Sequence, residues 1–308
     1  MPLSAPAPRH FMHNRAIECR GYQREDGLWD IEGHLVDTKT YATTALTDFA
    51  IDFIHKQESE SPEKPWFIYQ AYNAPHAANG GNNPYQVPPA NLHSVDLSSV
   101  GNPAPGASAT NIPIYKADIQ SLDTEIGRLL KAVDLTKTVV IFVGDNGVPP
   151  PVTDVGQGIR GSKGSVYEGG VRVPLVVAGA GVTRRGRDDN LFVTTDIYAT
   201  VLNLTGANVS QVNDSYSLKP VLSDEAASSG RTHSYSESGR ANNHRYGLRD
   251  SRFKLINNTG VWEFYDLVAD PLEKTNLYAS AEYAAARASL KAELDTLKAG
   301  ASSAYFTR

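Results

Sequence analysis

The sequence predicts an α/β protein: a parallel or mixed sheet flanked by helices, followed by a small C-terminal subdomain of antiparallel strands and a helix. Two observations support this fold class. Apolar runs of strand length alternate with amphipathic runs of helix length up to about residue 222, and short alternating runs separated by turns follow. The predicted divisions are an irregular N-terminal arm (1–36), an α/β core (37–222) and the C-terminal α+β subdomain (223–308).

The first part of the core predicts a helix and then a strand–helix–strand unit. Residues 41–56 carry apolar side chains at helical spacing, and the polar run 57–64 ends the helix. Residues 66–72 are aromatic and β-branched and predict a buried strand, which a helix over 119–133 and a strand over 138–143 follow. This order predicts a right-handed parallel crossover. Ligands collect at the carboxyl ends of such strands.

The other segments complete the predicted fold. Residues 77–113 are rich in Asn, Gly, Pro and Ser and predict a long loop that forms a wall of the site. A strand over 175–178 and a helix over 196–204, closed by Gly206, follow. The predicted C-terminal elements are three strands and a final helix, over 245–249, 253–256, 262–267 and 279–299.

Composition excludes several classes of partner. The 308 residues carry a net charge of −5, so they lack the basic excess that nucleic-acid binding requires. The longest apolar runs are far too short to span a membrane, and no export signal is visible, so a cytoplasmic location is expected. Cys19 is the only cysteine, which rules out an internal disulfide; it is more readily a bystander thiol than a nucleophile.

Two side chains with oxygen donors follow the strand over 138–143. Asp145 and Asn146 lie in a Gly-Asp-Asn-Gly sequence, and a carboxylate with an amide carbonyl suits Ca²⁺ or Mg²⁺ rather than zinc. Two ligands are too few for a complete site. The same sequence is also that of an ordinary turn, because Asn and Gly tolerate positive φ.

A second group of residues suits an anion. Lys163 lies between Gly161 and Gly164, where the lack of side chains lets an anion approach the backbone and the ammonium group. His76 follows the strand over 66–72 and could donate a proton to an ester oxygen. Both residues also have a non-functional interpretation: Lys163 as a solvated loop lysine and His76 as a polar surface residue.

Taken together, these segments resemble the sulfatase family of the alkaline phosphatase superfamily. The resemblance runs from about Thr38 to Leu277. It rests on the strand that ends in Tyr-Asn-Ala-Pro-His76, on the Gly-Asp-Asn-Gly sequence and on a C-terminal Phe-Tyr-Asp-Leu run. Its most specific part is the signature block, Arg160–Pro174, which contains Lys-Gly-Ser-Val-Tyr-Glu-Gly-Gly-Val-Arg-Val-Pro.

The resemblance implies a fold and a role for each candidate residue. The core should be a partial alkaline-phosphatase-like sheet. Asp145 and Asn146 match metal ligands, with Ca²⁺ preferred to Mg²⁺. Lys163 matches the lysine that contacts the sulfate group and takes part in catalysis, and His76 matches the histidine that contacts the sulfate or assists the leaving oxygen. Residues 168–174 are expected to shape the loop rather than to react.

The sequence departs from the family pattern near its start. No Asp-Asp pair precedes Thr38, and the only such pair is Asp188-Asp189. Cys19 lacks the Pro and Arg of the Cys-x-Pro-Ser-Arg segment from which the family makes its formylglycine nucleophile, so no formylglycine is expected. The chain resembles the C-terminal half to two-thirds of a sulfatase. A homo-oligomer that covers the exposed sheet edge is therefore expected.

Three interpretations follow. In the first, the chain is a metal-dependent hydrolase of small anionic sulfate or phosphate esters, promiscuous between them, that uses metal-activated water. In the second, it keeps the anion pocket and acts as a non-catalytic binding or scaffold module. In the third, it is one half of a split or truncated sulfatase. The first is favoured, because a site without function has no reason to retain all four candidate residues.

Overall fold

The structure is a computed structural model, and it divides into two units, residues 1–134 and 135–308. The predicted domain boundaries at 36/37 and 222/223 stay predictions. In the strands between residues 28 and 37 only the backbone is described. The structure describes residues 28–31, 34–37, 40–76, 87–98, 100, 112–149, 152, 158–239 and 243–300.

The first unit contains a hairpin and two long helices. Strands β1 (Leu28–Ile31) and β2 (His34–Asp37) pair antiparallel, where the sequence predicts an irregular arm. Helix α1 (Ala42–Glu60) extends past the predicted stop at residue 56. Helix α2 (Ile112–Lys131) begins at residue 112, seven residues before its predicted start at residue 119.

Helices α1 and α2 are joined by side-chain hydrogen bonds as well as by packing. The Tyr41 hydroxyl donates to Asp118 Oδ1 at 2.9 Å, and Thr44 donates to Glu125 Oε1 at 2.7 Å. Asp118 is 3% exposed, and burial raises its pKa to about 7. Arg128 at the end of α2 pairs with Asp48 at 2.6 Å.

The predicted buried strand over 66–72 is wrong. The segment has no strand partner among the described residues, and its side chains alternate between half-buried and exposed, with Phe67 46% and Tyr69 70% exposed. A strand needs the hydrogen bonds of a neighbour, and β propensity alone does not supply one. Of the predicted loop over 77–113, residues 77–86, 99 and 101–111 lie outside the described part, and a 3₁₀ turn at Ala90–Leu92 packs on α2.

The second unit begins with a two-stranded sheet. Strands β3 (Val139–Val143) and β4 (Leu175–Gly179) lie close to their predicted positions, and they pair antiparallel. The predicted parallel crossover is therefore not found in the described residues, where all strand pairings are antiparallel. The short helix α3 (Glu168–Val171) precedes β4.

Helix α4 (Asp196–Leu204) has its predicted bounds, and Gly206 follows with φ +98°. Two short strands, β5 (Gln211–Val212) and β6 (Ser215–Tyr216), and a 3₁₀ turn at Lys219–Leu222 come next. At the start of α4, buried Asp196 pairs with buried Arg231 at 2.7 Å.

The C-terminal subdomain is a four-stranded antiparallel sheet with a helix on one face, as predicted. Its order is β7 (Ser234–Ser238), β8 (Arg245–Arg249), β9 (Phe253–Asn258) and β10 (Val261–Asp266), and the edge strand β7 was not predicted. Helix α5 (Ala284–Gly300) covers one face. The core under it consists of Leu248, Leu255, Phe264, Leu290 and Leu294.

The opposite face of this sheet carries charged and hydroxyl groups. Cross-strand register places Arg249, Lys254 and Tyr265 in one row over β8, β9 and β10. Side chains alternate between the faces of a strand, so Leu248, Leu255 and Phe264 point the other way. The charged face contacts the signature block, through Arg249 and Lys254 to Glu168 and through Tyr265 to Arg160.

Candidate functional site

The Asp145–Asn146 turn follows β3 directly. One carboxylate oxygen of Asp145 accepts the backbone N–H of the next residue, Asn146, at 2.8 Å. Asp145 is exposed and Asn146 is half-buried. The turn thus presents a carboxylate and an amide at the end of the strand.

Three backbone hydrogen bonds join this turn to the signature block. Gly144 N–H donates to the Pro174 carbonyl at 3.0 Å, and Gly147 N–H donates to the Gly170 carbonyl at 2.9 Å. From the other side, Lys163 N–H donates to the Val148 carbonyl at 2.8 Å. The structure therefore brings together the segments that carry Asp145, Asn146 and Lys163, which are the three predicted site residues of the second unit.

The close approach of the two segments requires glycine at Gly147. A Cβ atom there would lie 1.8 Å from the Gly169 carbonyl oxygen, which is well inside any allowed contact. A side chain at this position would push the turn away from the signature block. The glycine of the Gly-Asp-Asn-Gly sequence is thus a condition of the site's geometry.

Lys163 lies at the tip of a tight loop. Gly161 and Gly164 flank it with φ +86° and +85°, and Ser165 N–H donates to the Ser162 carbonyl at 2.9 Å. A Cβ atom at Gly164 would meet no other atom within 4 Å, and Lys163 is exposed. The ammonium group is therefore accessible to an anion from solvent.

His76 belongs to the first unit and has an exposed side chain. It closes a turn in which its backbone N–H donates to the Asn73 carbonyl at 2.6 Å, after a cis Ala74–Pro75 peptide bond. Its assignment to the site stays a prediction.

A buried charge cluster lies behind the signature block, and the sequence analysis did not foresee it. Lys254 Nζ lies 2.9 Å from Glu168 Oε1 and 3.1 Å from Glu273 Oε1, and Arg249 Nη1 lies 3.1 Å from Glu168 Oε2. Glu273 Oε2 accepts the Glu168 backbone N–H at 2.7 Å. No local pattern could reveal the cluster, because residue 168 is 81 to 105 residues away from the others in sequence.

The two carboxylates of the cluster respond differently to their surroundings. Burial alone would raise the pKa of Glu168, but the charges of Lys254 and Arg249 outweigh it and lower this pKa. For Glu273 burial outweighs the attraction of Lys254, so its pKa is raised. Glu168 is thus held as a carboxylate, whereas Glu273 takes up a proton more readily.

Arg160 anchors the start of the signature block on the same sheet face. Its guanidinium lies over the Tyr167 ring, 4.2 Å from the centroid, and donates to the Tyr265 hydroxyl. Glu263 accepts from both tyrosines and pairs with Arg160 at 3.1 Å. Burial and the nearby Glu263 carboxylate together raise the pKa of Tyr167 to about 12, so its hydroxyl stays protonated as a donor.

The donor chemistry of the turn fits a hard cation, although the set is small. One Asp145 oxygen and the Asn146 carbonyl are suited to Ca²⁺ or Mg²⁺, which take six or more oxygens in all. Within the ranges that the structure describes, no group of three His, Cys, Asp or Glu side chains is arranged to hold a metal ion. Any further ligands would come from waters, from the substrate or from other parts of the protein.

The sequence analysis also weighed Cys19 and the Asp188–Asp189 pair as family features. Cys19 lies outside the described residues. Asp188 and Asp189 pair with Arg184 and Arg187 in an exposed turn, the second pair at 2.8 Å. No helix among the described residues has the length and apolar character needed to cross a membrane.

Family models and curated relatives agree on the kind of protein. The Sulfatase family model matches residues 9–207, and the model for the C-terminal part of N-sulphoglucosamine sulphohydrolase matches residues 162–300. The chain is 31% identical over 186 residues to N-acetylglucosamine-6-O-sulfatase of Bacteroides thetaiotaomicron, covering 55% of this chain and 32% of that protein. It is 27% identical over 281 residues to arylsulfatase K of Gallus gallus, covering 75% of this chain and 51% of that protein.

Solved structures support the predicted fold class. The crystal structure of Ps i-CgsB matches with a TM-score of 0.66 at 23% identity, covering 86% of this chain and 56% of that chain. The structure of BT4656 with its substrate D-glucosamine-2-N,6-O-disulfate matches with a TM-score of 0.65 at 23% identity, covering 88% of this chain and 72% of that one. At this identity the likeness shows the fold alone, and it confirms the predicted α/β alkaline-phosphatase-like class.

The chain spans between about a third and half the length of the curated relatives named above. The Sulfatase model nevertheless covers more than half of the chain, and it includes both the Asp145–Asn146 turn and the signature block. The chain belongs to the sulfatase family of the alkaline phosphatase superfamily.

Proposed function

We propose that this chain carries the cation-binding and anion-binding elements of a metal-dependent hydrolase of sulfate esters, with phosphate esters as a secondary substrate class. The observation that supports the proposal most directly is the set of three backbone hydrogen bonds between the Gly144–Val148 segment and the signature block. They keep an exposed carboxylate, an amide carbonyl and an exposed ammonium in neighbouring loops, as an anionic ester with a bound cation requires.

Each side chain has a distinct task in this proposal. Lys163 binds the anionic oxygens of the ester, and the open space beside Gly164 leaves room for them. Asp145 and Asn146 hold a divalent cation, with Ca²⁺ preferred to Mg²⁺ as the family resemblance implies. Such a cation, when bound, polarises an ester oxygen and makes a bound water more acidic.

Water is the proposed nucleophile, and His76 the proposed donor to the leaving oxygen. None of the 308 residues lies in a Cys-x-Pro-Ser-Arg segment, so within this sequence we assign no formylglycine. A histidine can both donate a hydrogen bond and transfer a proton near neutral pH. A His76→Ala variant tests this role separately from that of Lys163.

Relatives suggest which esters to try first. The names of two relatives specify N-acetylglucosamine-6-O-sulfate and endo-4-O-sulfate chemistry, and another is named as an arylsulfatase. We therefore propose sulfated amino sugars and aryl sulfates as the first substrates, ahead of phosphate mono- and diesters.

We further propose that two copies of the chain associate through the β3–β4 sheet. Phe142 and Val176 are cross-strand partners that are 38% and 58% exposed, which places adjoining apolar side chains in solvent. Sedimentation of the wild type should show a dimer, and a Phe142→Glu variant should be a monomer. A monomeric wild type would exclude this arrangement.

Hydrolysis of chromogenic sulfate and phosphate esters, with and without a chelator, tests the proposed function. Lys163→Ala and Asp145→Ala should each lower the rate at least about tenfold, or about 1.4 kcal/mol of barrier. Asp189→Ala is the matched control, since its carboxylate is exposed and pairs only with exposed Arg187 among the described residues. Rates that resist both the chelator and these substitutions would exclude the proposal. Binding of sulfate without turnover would assign a non-catalytic anion-binding role instead.

A further inference from the structure

The signature block is held against the C-terminal sheet by charges that are almost wholly buried. Glu168 and Lys254 are each 2% exposed, and Glu273 is fully buried. Lys254 bridges the two carboxylates, as a hydrogen-bonded ion pair at 2.9 Å to Glu168 and as a less well aligned pair at 3.1 Å to Glu273. Two acidic and two basic groups, counting Arg249, balance each other in charge.

Such a cluster is a costly way to join two parts of a protein. Burying charges requires their removal from water, and apolar side chains of the same volume often give equal or greater stability. An ion cluster fixes the relative positions of the groups that it joins, because each hydrogen bond allows only a narrow range of distances and angles. The presence of the cluster between the signature block and the C-terminal sheet therefore indicates that the block must be held in a defined position.

Within the cluster, Glu273 has an unusual backbone conformation. Its φ is +56°, in the left-handed region that residues with a side chain seldom adopt. In this conformation its carboxylate reaches both the Lys254 ammonium and the Glu168 backbone N–H. Strain of this kind persists only where the surroundings impose it.

A continuous series of contacts leads from Glu168 to the proposed site. Glu168 begins α3, and the next residue, Gly169, donates its N–H to the Arg160 carbonyl at 2.8 Å, at the start of the Lys163 loop. One residue further, the Gly170 carbonyl accepts from Gly147, beside Asn146, at 2.9 Å. A shift of Glu168 therefore moves both the anion-binding loop and the cation-binding turn.

We propose that Glu168, Lys254 and Glu273 are positioning residues that hold the Lys163 loop and the Asp145–Asn146 turn in the geometry needed for catalysis. They do so from behind the signature block, without touching the substrate. This inference rests on the proposed function, although its structural part can be measured without turnover.

Hydrogen–deuterium exchange of the whole chain tests the structural part. In Glu168→Gln, exchange in peptides covering 144–149 and 160–171 should rise about tenfold or more, whereas peptides of α5 should be unchanged. Asp196→Asn is the matched control: it removes a carboxylate from the buried Asp196–Arg231 pair, which no described contact joins to the signature block. Glu273→Gln is a milder second variant if Glu168→Gln does not fold. Unchanged exchange at the signature block in both variants would overturn the proposal.

Activity and anion affinity test the functional part. In folded Glu168→Gln and Lys254→Met proteins, kcat/KM for the best sulfate ester should fall about 10- to 100-fold while Asp196→Asn retains wild-type values. Looser exchange with undiminished kcat/KM would overturn the positioning role. If the wild type shows no turnover, the proposed hydrolase function is wrong, and the affinity for inorganic sulfate then tests the positioning role. Weaker sulfate binding by Glu168→Gln than by the wild type supports that role, and equal binding refutes it.

Discussion

The two faces of the sheet formed by β7 to β10 differ in chemistry, although the same strands form both. The face under α5 is apolar and buries Leu248, Leu255 and Phe264 against the helix. The other face carries Arg249, Lys254 and Tyr265, which bind the signature block through ion pairs and hydrogen bonds. Apolar packing tolerates small shifts, whereas directed polar contacts do not.

The two faces contribute differently to the free energy of folding. Removal of apolar surface from water is the main source of folding free energy, and the α5 face supplies it. The charged face adds little net stability, because desolvation offsets much of the ion-pair attraction. We therefore expect the α5 face to supply most of the folding free energy and the contacts of the charged face to set the position of the site.

The largest expected loss of stability is on the apolar face. Phe264 is fully buried, and Phe264→Ala should lower the free energy of unfolding by about 3–5 kcal/mol, because it removes apolar contacts and leaves a cavity. Urea denaturation followed by circular dichroism measures this. A loss below about 1 kcal/mol would mean that the α5 face is not the stabilising core.

The buried carboxyl group of Asp118, in the first unit, contrasts with that of Glu168 on the charged face. Burial raises the pKa of Asp118 from 3.8 to about 7, in contrast to Glu168, whose two cations lower its pKa. A carboxyl that binds its proton more tightly when folded loses stability as pH rises from its unfolded value to its folded value. The stability contributed by Asp118 should therefore fall between pH 4 and 7.

Asp118→Asn removes this titration and keeps an acceptor for the Tyr41 hydroxyl. It should raise the free energy of unfolding at pH 8 by about 2 kcal/mol, and the gain should vanish near pH 4. Unfolding curves of both proteins across this pH range measure the difference. A variant that is less stable than the wild type at pH 8 would show that Asp118 is needed as a carboxylate.

A smaller effect is expected for the neighbour of Phe264 on the charged face. Tyr265→Phe keeps the buried ring and removes the hydroxyl that links Glu263 and Arg160. The free energy of unfolding should fall by about 1–2 kcal/mol. Activity should fall as well, since Arg160 begins the signature block. Equal losses of stability for Phe264→Ala and Tyr265→Phe would remove the proposed distinction between the two faces.

The smallest effect is expected on the solvent side of α5. Lys291 pairs with Asp295 one turn further along the helix, and both side chains are substantially exposed. Lys291→Ala should change the free energy of unfolding by about 0.5 kcal/mol or less, because solvent screens exposed ion pairs. Thermal unfolding at low and high salt measures this, and a loss above about 1 kcal/mol would indicate a larger role for its contact with the Trp262 ring.

Local sequence predicted most elements of the fold. Helix α4 and strand β8 have their predicted bounds, and β3, β4, β9 and β10 differ from prediction by one or two residues at an end. Periodicity predicts such elements well because each depends on neighbours a few positions away. Local composition also predicted a strand over 66–72, because these residues favour strands. The prediction failed because the described structure offers the segment no partner strand.

Candidate residues were predictable to the extent that they lie in short motifs. Asp145, Asn146 and Lys163 were identified from two such motifs, and the hydrogen bonds between Gly147 and Gly170 and between Lys163 and Val148 join those motifs in the structure. Lys254 and Glu273 could not be identified in this way, because a lysine in a strand and a glutamate in a loop have no local pattern that distinguishes them.

The family, the positions of most helices and strands and the chemistry of the proposed site could be inferred from the amino-acid sequence alone, because all three depend on residues close together in the chain. The folded structure was needed to show that β3 and β4 pair antiparallel and that Glu168 shares a buried lysine with Glu273. It was also needed to show that the pKa of Asp118 is raised while that of Glu168 is lowered. These features depend on which distant groups meet and how much water is excluded between them, and no short stretch of sequence specifies either.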